Sequence, residues 1–537
     1  MNYYITKQIF FVPIIDFRDN SRNIIDRYLS LLESSGVCQL IEKCFSSKEM
    51  GGRPSYNPYN LLAAIIYCFA FSKASLRDIE DNCKYDLRLI YIMNNQIPSY
   101  KTIGNFINKI VVPNRIKIFA LITNQIFKEC KLNMDKAYID GTKIEANANK
   151  YKFVWKPTTF HINLTKKIII ILSKYGLNKD LPNNEILSSQ IIAKKITEFY
   201  NKYCQINLEL VENKEYKKDL KLLSEFLNKS LEYEEKERIC GPNRNSYYKT
   251  DKDATAMCLK SDYYSKLGTN MHAAYNIQIC VANGLITSYL TTQSRTDFND
   301  FIPLLNRHYS MYSDYPKNIC ADAGYGILCN YRYLNINGIN NFIKHSSWDG
   351  NVTGRNPSRY ILINEKEIKC LNGNSGFITN DNMKSRKKEN KLFKITGCNN
   401  CNFRFYCKRY MKKKDEDYRY FEVDIALQKY IFKSEQNLKS KVGIEMRVNR
   451  SSQVEGAFGV IKQDMNYNRF RRVSIEKVET EFMLTALGYN VRKLFKYYNN
   501  VDCFTYWKAP ENLSEEKFKK PSYKRLTNKV NKKGCKI

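Results

Sequence analysis

Histidine is almost missing from this 537-residue chain: His161, His272, His308 and His345 are all there are. None falls in the segments that carry candidate chemistry, so acid–base work by imidazole is not expected. Acidic residues are also short, 54 Asp+Glu against 87 Lys+Arg, for a formal net charge of +33. Such an excess calls for a polyanion. Because the charges spread along the whole chain, nucleic acid is expected rather than a membrane surface. The longest apolar run, LLAAIIYCFAF at Leu61–Phe71, is too short to span a bilayer and reads as a buried helix. A secretory signal is lacking too: QIFFVPIID near the start is short, holds a Pro and has no small-residue cleavage site. The 17 cysteines are odd in number and sit in a long chain, which argues for reduced thiols and a cytoplasmic setting rather than a disulfide framework. No internal repeat is present.

What is there has the size of several domains and, at 43% hydrophobic residues, an ordinary core. Between about 54 and 110 the pattern predicts an apolar helix, then a helix opened by a Ser75/Asp78 capping box, then a turn and a third helix in IPSYKTIGNFINKI. This is a helix-turn-helix-like unit or a plain helical bundle. Residues 133–146 read as a strand. From about 160 to 236 the chain is Lys/Glu-rich and helical, with Tyr216, Leu220, Leu223, Leu227 and Leu231 on one packing stripe. Strands resume on either side of the Asn283-Gly284 turn. There follow a helix in DFNDFIPLLNRHY, a strand in KNICADAGYG, a helix in CNYRYLNING and a strand in NNFIKHS. A charged, Cys-containing stretch runs from about 350 to 440. Helices close the pattern near 450–465 and 476–497, and the tail after Trp507 is Lys-rich. Without its two inserted stretches, this is the α/β element order of a ribonuclease H-like core.

Three carboxylates stand at informative points. Asp140 is expected near the end of the first strand. Asp322 ends the strand ICAD, where Cys320 and Asp322 face one way and Ile319 and Ala321 the other. Glu455 lies in VEGAFGVIK, whose Val454, Ala457, Phe458 and Ile461 form an apolar helix face, with Glu455, Gly459 and Lys462 on the neighbouring stripe. Carboxylate oxygens suit hard cations, Mg²⁺ or Mn²⁺. Two such ions about 3.5–4 Å apart activate a water or 3′-hydroxyl and stabilise the leaving oxygen at phosphorus.

These segments resemble bacterial insertion-sequence transposases with an Asp-Asp-Glu triad, most closely the family catalogued as insertion sequence eleven-eighty-two. DGTKIEANANKYKFVW, YNIQICV, ADAGYG and VEGAFGVIK match its pattern in order, as do RPSYNPYNLLAAIIYCFAFSKASLRDIE and ETEFMLTALGYNVRKL, covering most of residues 50–497. The resemblance implies catalytic, metal-binding roles for Asp140, Asp322 and Glu455 and a DNA-binding role for the N-terminal helices. Related transposases carry a Tyr-Arg-Glu-Lys signature whose basic residues grip DNA. Lys462 stands seven after Glu455, as in that signature. The Arg expected four before the Glu is replaced by Ser451, with Arg450 one position off, and no Tyr stands at the expected spacing. After RFRR the family usually has Gly, where this chain has Val473. Arg469, Arg471 and Arg472 are read as phosphate contacts, the alternative being a solvated surface. Cys370, Cys398, Cys401 and Cys407 share the family's cysteine pattern and form either a structural zinc site or a set of reduced thiols.

The expected layout is an N-terminal segment at 1–50 and a helical DNA-binding domain at 51–125. A ribonuclease H-like catalytic domain follows at 130–500, with a helical insertion at about 155–260 and a Cys-containing one at about 350–440. A basic tail closes the chain at 501–537. The expected function is transposition by metal-dependent DNA strand cleavage and strand transfer, by a cytoplasmic, nucleoid-associated homodimer that meets no membrane. The alternatives are a non-catalytic DNA-binding protein derived from a transposase and a nuclease on the same fold.

Overall fold

A computed structural model describes residues 21–44, 55–72, 74–181, 186–204, 214–259, 270–348, 360–379, 390–408 and 416–511. The first twenty residues, and the basic tail beyond residue 511, lie outside them. The chain opens with helices α1 (Ser21–Ser34), α2 (Val37–Cys44), α3 (Pro58–Phe71), α4 (Leu76–Tyr85), α5 (Leu87–Ile92), α6 (Tyr100–Phe106) and α7 (Val112–Glu129). Their starts follow local chemistry. The Asn57 side chain accepts from the Tyr59 and Asn60 N–H groups ahead of Pro58, and Ser75 and Asp78 form the expected reciprocal capping box. The α3 run is buried from Leu61 to Ala70, as its composition predicts. No single helix among the described residues is long and apolar enough to cross a membrane. One pair, α3 with α4, passes that test together, but it is bent by 99°.

The sheet explains where the acids lie. After β1 (Lys136–Glu145) come β2 (Phe153–Trp155), α8 (Thr158–Lys174), α9 (Ser189–Cys204), α10 (Lys214–Cys240), β3 (Ser246–Tyr248) and β4 (Thr255–Met257). Then follow β5 (His272–Ala282), β6 (Leu285–Thr292), α11 (Phe301–Tyr312), β7 (Asn318–Ala321), α12 (Leu328–Ile336) and β8 (Asn340–Asn341). The strands order as β4-β5-β1-β7-β8, with β6 also on β5. β1 is antiparallel to β5 and parallel to β7. This mixed sheet with helices on its faces fits a ribonuclease H-like core. Side chains alternate as a strand requires. Ala137, Ile139, Ile319 and Ala321 join one core with Phe301, Leu304 and Leu334, while Tyr138 and Cys320 join the other. Asn283 and Gly284 take φ of +49° and +74° between β5 and β6, the turn their identities predict. The strand expected in NNFIKHS shrinks to two residues.

Between β1 and β5 the long helices pair around Leu164, Ile168, Phe199, Tyr216 and Leu223. The predicted stripe holds except at Leu231, which is exposed because the buried face there passes to Ser230. His161 bridges two of these helices, with Nε2 3.1 Å from Ser230 Oγ and Nδ1 3.2 Å from Glu237 Oε2. Ser230 is fully buried, so the trio acts as a polar latch between α8 and α10.

The described residues of the charged stretch from 350 to 440 have a core of their own. It holds an antiparallel sheet of β9 (Tyr360–Asn364), β10 (Glu367–Cys370), β11 (Ser375–Ile378), β12 (Lys391–Thr396) and β13 (Tyr418–Val423), built on Ile368, Phe393, Ile395, Phe421 and Val423. Short α13 (Arg404–Lys408) lies between the last two strands. Then come α14 (Ile425–Lys439), α15 (Lys441–Arg450), a widened turn at Ser451–Glu455, α16 (Gly456–Gly459), a second widened turn at Val460–Asp464, and α17 (Ile475–Tyr498).

Helix α17 is buried on nearly all sides and lies against α3. The contact needs a glycine: a Cβ on Gly488 would stand 2.7 Å from the Phe69 carbonyl group and 2.9 Å from the Ala70 nitrogen. Gly488→Ala is expected to destabilise the protein by about 1–3 kcal/mol through this overpacking. Gly459→Ala, with nothing within 4 Å, should be neutral or mildly stabilising. Thermal melts of the two variants check both, and an undisturbed Gly488→Ala melt would disprove the α3–α17 contact.

Candidate active site

Asp140 sits mid-strand in β1 rather than near its end, because Gly141 continues the strand instead of turning it. The glycine answers to packing. A Cβ there would lie 2.8 Å from Gln278 Cδ and 2.9 Å from Asp297 Oδ1. Its N–H donates to Asp140 Oδ1 at 2.9 Å. Asp322 follows the last residue of β7 in extended conformation, at the start of a tight turn through Ala323–Tyr325. Register brings the two aspartates together. Tyr138 pairs with Cys320 and Ile139 with Ala321, so Asp140 and Asp322 are the next residues on two parallel strands about 4.8 Å apart.

Glu455 arrives from the other direction. The apolar face predicted for its helix is buried, with Val454, Ala457, Phe458 and Ile461 in the core, and the turn at Ser451–Glu455 rests on β1 and β5. All three carboxylates reach one guanidinium. Arg450 Nη2 donates to Glu455 Oε1 at 3.1 Å and lies 3.6 Å from Asp322 Oδ1, and Nη1 lies 3.9 Å from Asp140 Oδ2. The Arg450 side chain is only 16% exposed. Burial works against its charge, yet Asp322, Asp140 and Glu455 together hold its pKa above the ordinary value. Ser451 Oγ donates to Glu455 Oε2 at 2.8 Å and fixes the other oxygen.

The one-residue offset of Arg450 has a structural cause. In an α-helix the residue four back lies over Glu455. At Ser451–Glu455 the helix widens into a π turn, where the Gly456 N–H reaches the Ser451 carbonyl five residues back. A wider turn lets the residue five back meet the glutamate, and that residue is Arg450.

A buried polar network lies behind the aspartates. Tyr325 OH donates to Gln278 Oε1, Gln278 Nε2 donates to Asp297 Oδ1 at 2.8 Å, and Asn276 Nδ2 donates to the same oxygen at 2.7 Å. Burial first, then Asp297 and Asp140, push the Tyr325 pKa well up, so its proton stays on and donates. Asp300 accepts from Thr292 and Ser294 and is pushed up to about 6, mainly by burial. Sequence reasoning missed this layer. The available signal was two amides, Asn276 and Gln278, at alternate positions of an otherwise apolar strand.

The expected DNA contacts separate into two groups. Lys462 Nζ donates to Thr142 Oγ1 at 2.6 Å and to the Lys143 carbonyl at 3.3 Å, so it clamps its helix to β1. Arg472 is half-buried and donates to Asn108 Oδ1 at 3.4 Å. Arg469 and Arg471 are exposed. Their loop joins the end of β1: the Glu145 N–H donates to the Asn468 carbonyl and the Phe470 N–H to the Glu145 carbonyl. Two other acids of the closing helix are spoken for. Glu479 pairs with Arg115 at 2.7 Å and Arg307 at 3.0 Å, and Glu481 caps the Arg471 and Arg472 N–H groups.

Among the described residues, no three His, Cys, Asp or Glu groups stand close enough to hold a metal ion as the side chains are placed. The acids are instead gathered by Arg450. Hard oxygen donors from two strands and a helix, already converged on a positive charge, are a donor set that Mg²⁺ or Mn²⁺ would suit. The four cysteines are half-buried free thiols, with Cys370 ending β10 and Cys398 just past β12. Burial first, then Cys401, Asp417, Cys370 and Cys407, raise the Cys398 pKa, which puts all four sulfurs in one electrostatic neighbourhood.

Two family models match the chain. One described as a Transposase DDE domain covers residues 370–495, and so Glu455 and Lys462. The other, a Transposase domain (DUF772), covers residues 13–109, the N-terminal helices. Asp140 and Asp322 lie outside both spans. No curated protein and no solved structure matches.

Two results are expected. Arg450→Gln leaves three carboxylates facing one another, so its melting temperature in chelator should fall below the wild type, and Mn²⁺ should raise it by more than it raises the wild type. Equal melting with and without Mn²⁺ would separate Arg450 from any cation site. Reduced protein purified without chelator should carry about one zinc per chain, lost on Cys398→Ser, if the four thiols close on a metal. Elemental analysis finding none in folded protein leaves them as thiols.

Proposed function

We propose that this chain, with its two transposase-family domains, cuts DNA at the ends of a mobile element and joins the freed 3′-hydroxyl to target DNA. The observation that carries the proposal is the convergence of Asp140, Asp322 and Glu455 on one cationic point. They come from separate parts of the sequence, yet each stands within 4 Å of Arg450. Bound there, a divalent cation would polarise the phosphate and acidify the attacking hydroxyl. The chain's own residues do the placing. β1 and β7 fix the two aspartates by register, the Tyr325–Gln278–Asp297 network holds the loop after β7 against β5, and the π turn presents Glu455. Arg450 balances the acids in the free protein. Phosphate contact falls first to the exposed Arg469 and Arg471, since Arg450, Lys462 and Arg472 already hold protein groups. The N-terminal helices are assigned to recognition of the element ends. The 51–125 and 130–500 domain division and the two inserted stretches are part of this reading. So is a homodimer, because joining two ends requires two active sites, and so is a nucleoid-associated location that follows from DNA as partner.

Glu455→Gln should lower cleavage of a labelled element end by at least about 10²-fold while gel-shift affinity for that end stays within a few-fold. Asp140→Asn and Asp322→Asn should match it, and combining them should cost little more, because the three act as a unit. Near-normal cutting by any one variant would remove that residue from the site. The end-binding constant should also drop steeply as salt rises, in step with the +33 charge.

A further inference from the structure

Past Asp140 the chain builds a surface that the cleavage chemistry does not use. Five residues on, β1 reaches Glu145, about 16 Å along the strand. It then turns through Asn147, whose Nδ2 donates to the Arg471 carbonyl at 2.9 Å, and enters β2. Phe153 and Trp155 occupy alternate positions of β2 and so share one face, with Tyr151 in the turn that leads into it; Tyr151, Phe153 and Trp155 are 78%, 44% and 52% exposed. The Phe153 and Trp155 rings meet edge to face, with centroids 5.6 Å apart. Lysines interleave with the rings. Lys150 Nζ lies 5.2 Å from the Tyr151 ring centre, and Lys152 is exposed beside Lys249, whose N–H donates to the Lys152 carbonyl.

Three exposed aromatic rings close together in the chain, flanked by lysines, are costly in water unless something covers them. The charge selects an anion, and the rings select flat apolar faces. A paired duplex offers phosphates but hides its base faces in the stack. An unpaired strand offers both, and stacking on aromatic side chains is tolerant of sequence. We infer that the Tyr151–Phe153–Trp155 face binds unpaired DNA bases next to the cleavage point, with the interleaved lysines on the phosphates. This deepens the transposase reading and rests on it. At about 3.4 Å per nucleotide, the stretch of β1 from Asp140 to Glu145 spans roughly five nucleotides, so the platform receives the strand that flanks the cut rather than the cut itself.

The test measures affinity of the full chain for oligo-dT and for a duplex of equal length, with the Tyr151→Ala/Trp155→Ala double variant beside the wild type. Oligo-dT affinity should fall roughly 10- to 100-fold, with duplex affinity within about 2-fold, and Tyr151→Phe/Trp155→Phe should restore it. Oligo-dT should also quench the wild-type tryptophan emission. Trp155 is the exposed indole, Trp348 is buried and Trp507 half-buried, so Trp155→Phe should abolish the quench. Unchanged oligo-dT affinity in the double variant overturns the inference. So does an equal loss on duplex, which would mean a general charge surface, and so does a shift in oligomeric state in place of a binding defect, which would make the face a contact between copies. Wild type that binds neither DNA overturns the transposase reading itself.

Discussion

The Arg450 guanidinium reaches Asp140, Asp322 and Glu455 together, and so ties the middle of β1, the end of β7 and the widened turn before α16 to one point. Parallel register sets the two aspartates side by side on neighbouring strands. Like charges at a few ångströms repel by about 1 kcal/mol in water, and several times more where water is partly excluded. A cation is therefore a structural requirement of this sheet edge. Arginine supplies it with a planar fork wide enough to address three acids at once. On the proposed function, the same demand would suit the site to a harder cation, so stability of the free protein and readiness for metal would have one origin.

The second constraint lies under the first. Asp140 can stay on β1 beside a side-chain network because Gly141 makes room for Gln278 and Asp297. Gln278 in turn accepts from Tyr325, which closes the short turn that Asp322 opens. The two aspartates are thus held in front by Arg450 and from behind by a buried hydrogen-bond chain whose members satisfy one another.

Much of this was legible in the sequence. The alternation of Ile319 and Ala321 against Cys320, the apolar face of Val454, Ala457, Phe458 and Ile461, the Ser75/Asp78 cap and the Asn283-Gly284 turn all rest on local rules of spacing and conformation, and the structure keeps them. The three acids could be picked out, but not the place of Asp140 in mid-strand. What was not legible depends on long-range pairing or on broken helical period. The π turn at Ser451–Glu455 has no sequence signature, so Arg450 looked misplaced by one residue when it is the side chain at the centre. The sheet from Tyr360 to Val423 was hidden by its charged residues, because only one face of it is apolar. Lys462 was read as a DNA contact, and its clamp on β1 could not be foreseen because its partner Thr142 lies 320 residues away.

The central claim is that Asp140, Asp322 and Glu455 form one cation site whose occupant in the free protein is Arg450. Anomalous scattering from crystals of the protein soaked in Mn²⁺ tests it most directly. The account predicts a manganese peak among the three carboxylates, with the Arg450 guanidinium moved away from them. A peak elsewhere, or none, with Arg450 still in contact with all three acids, would contradict it.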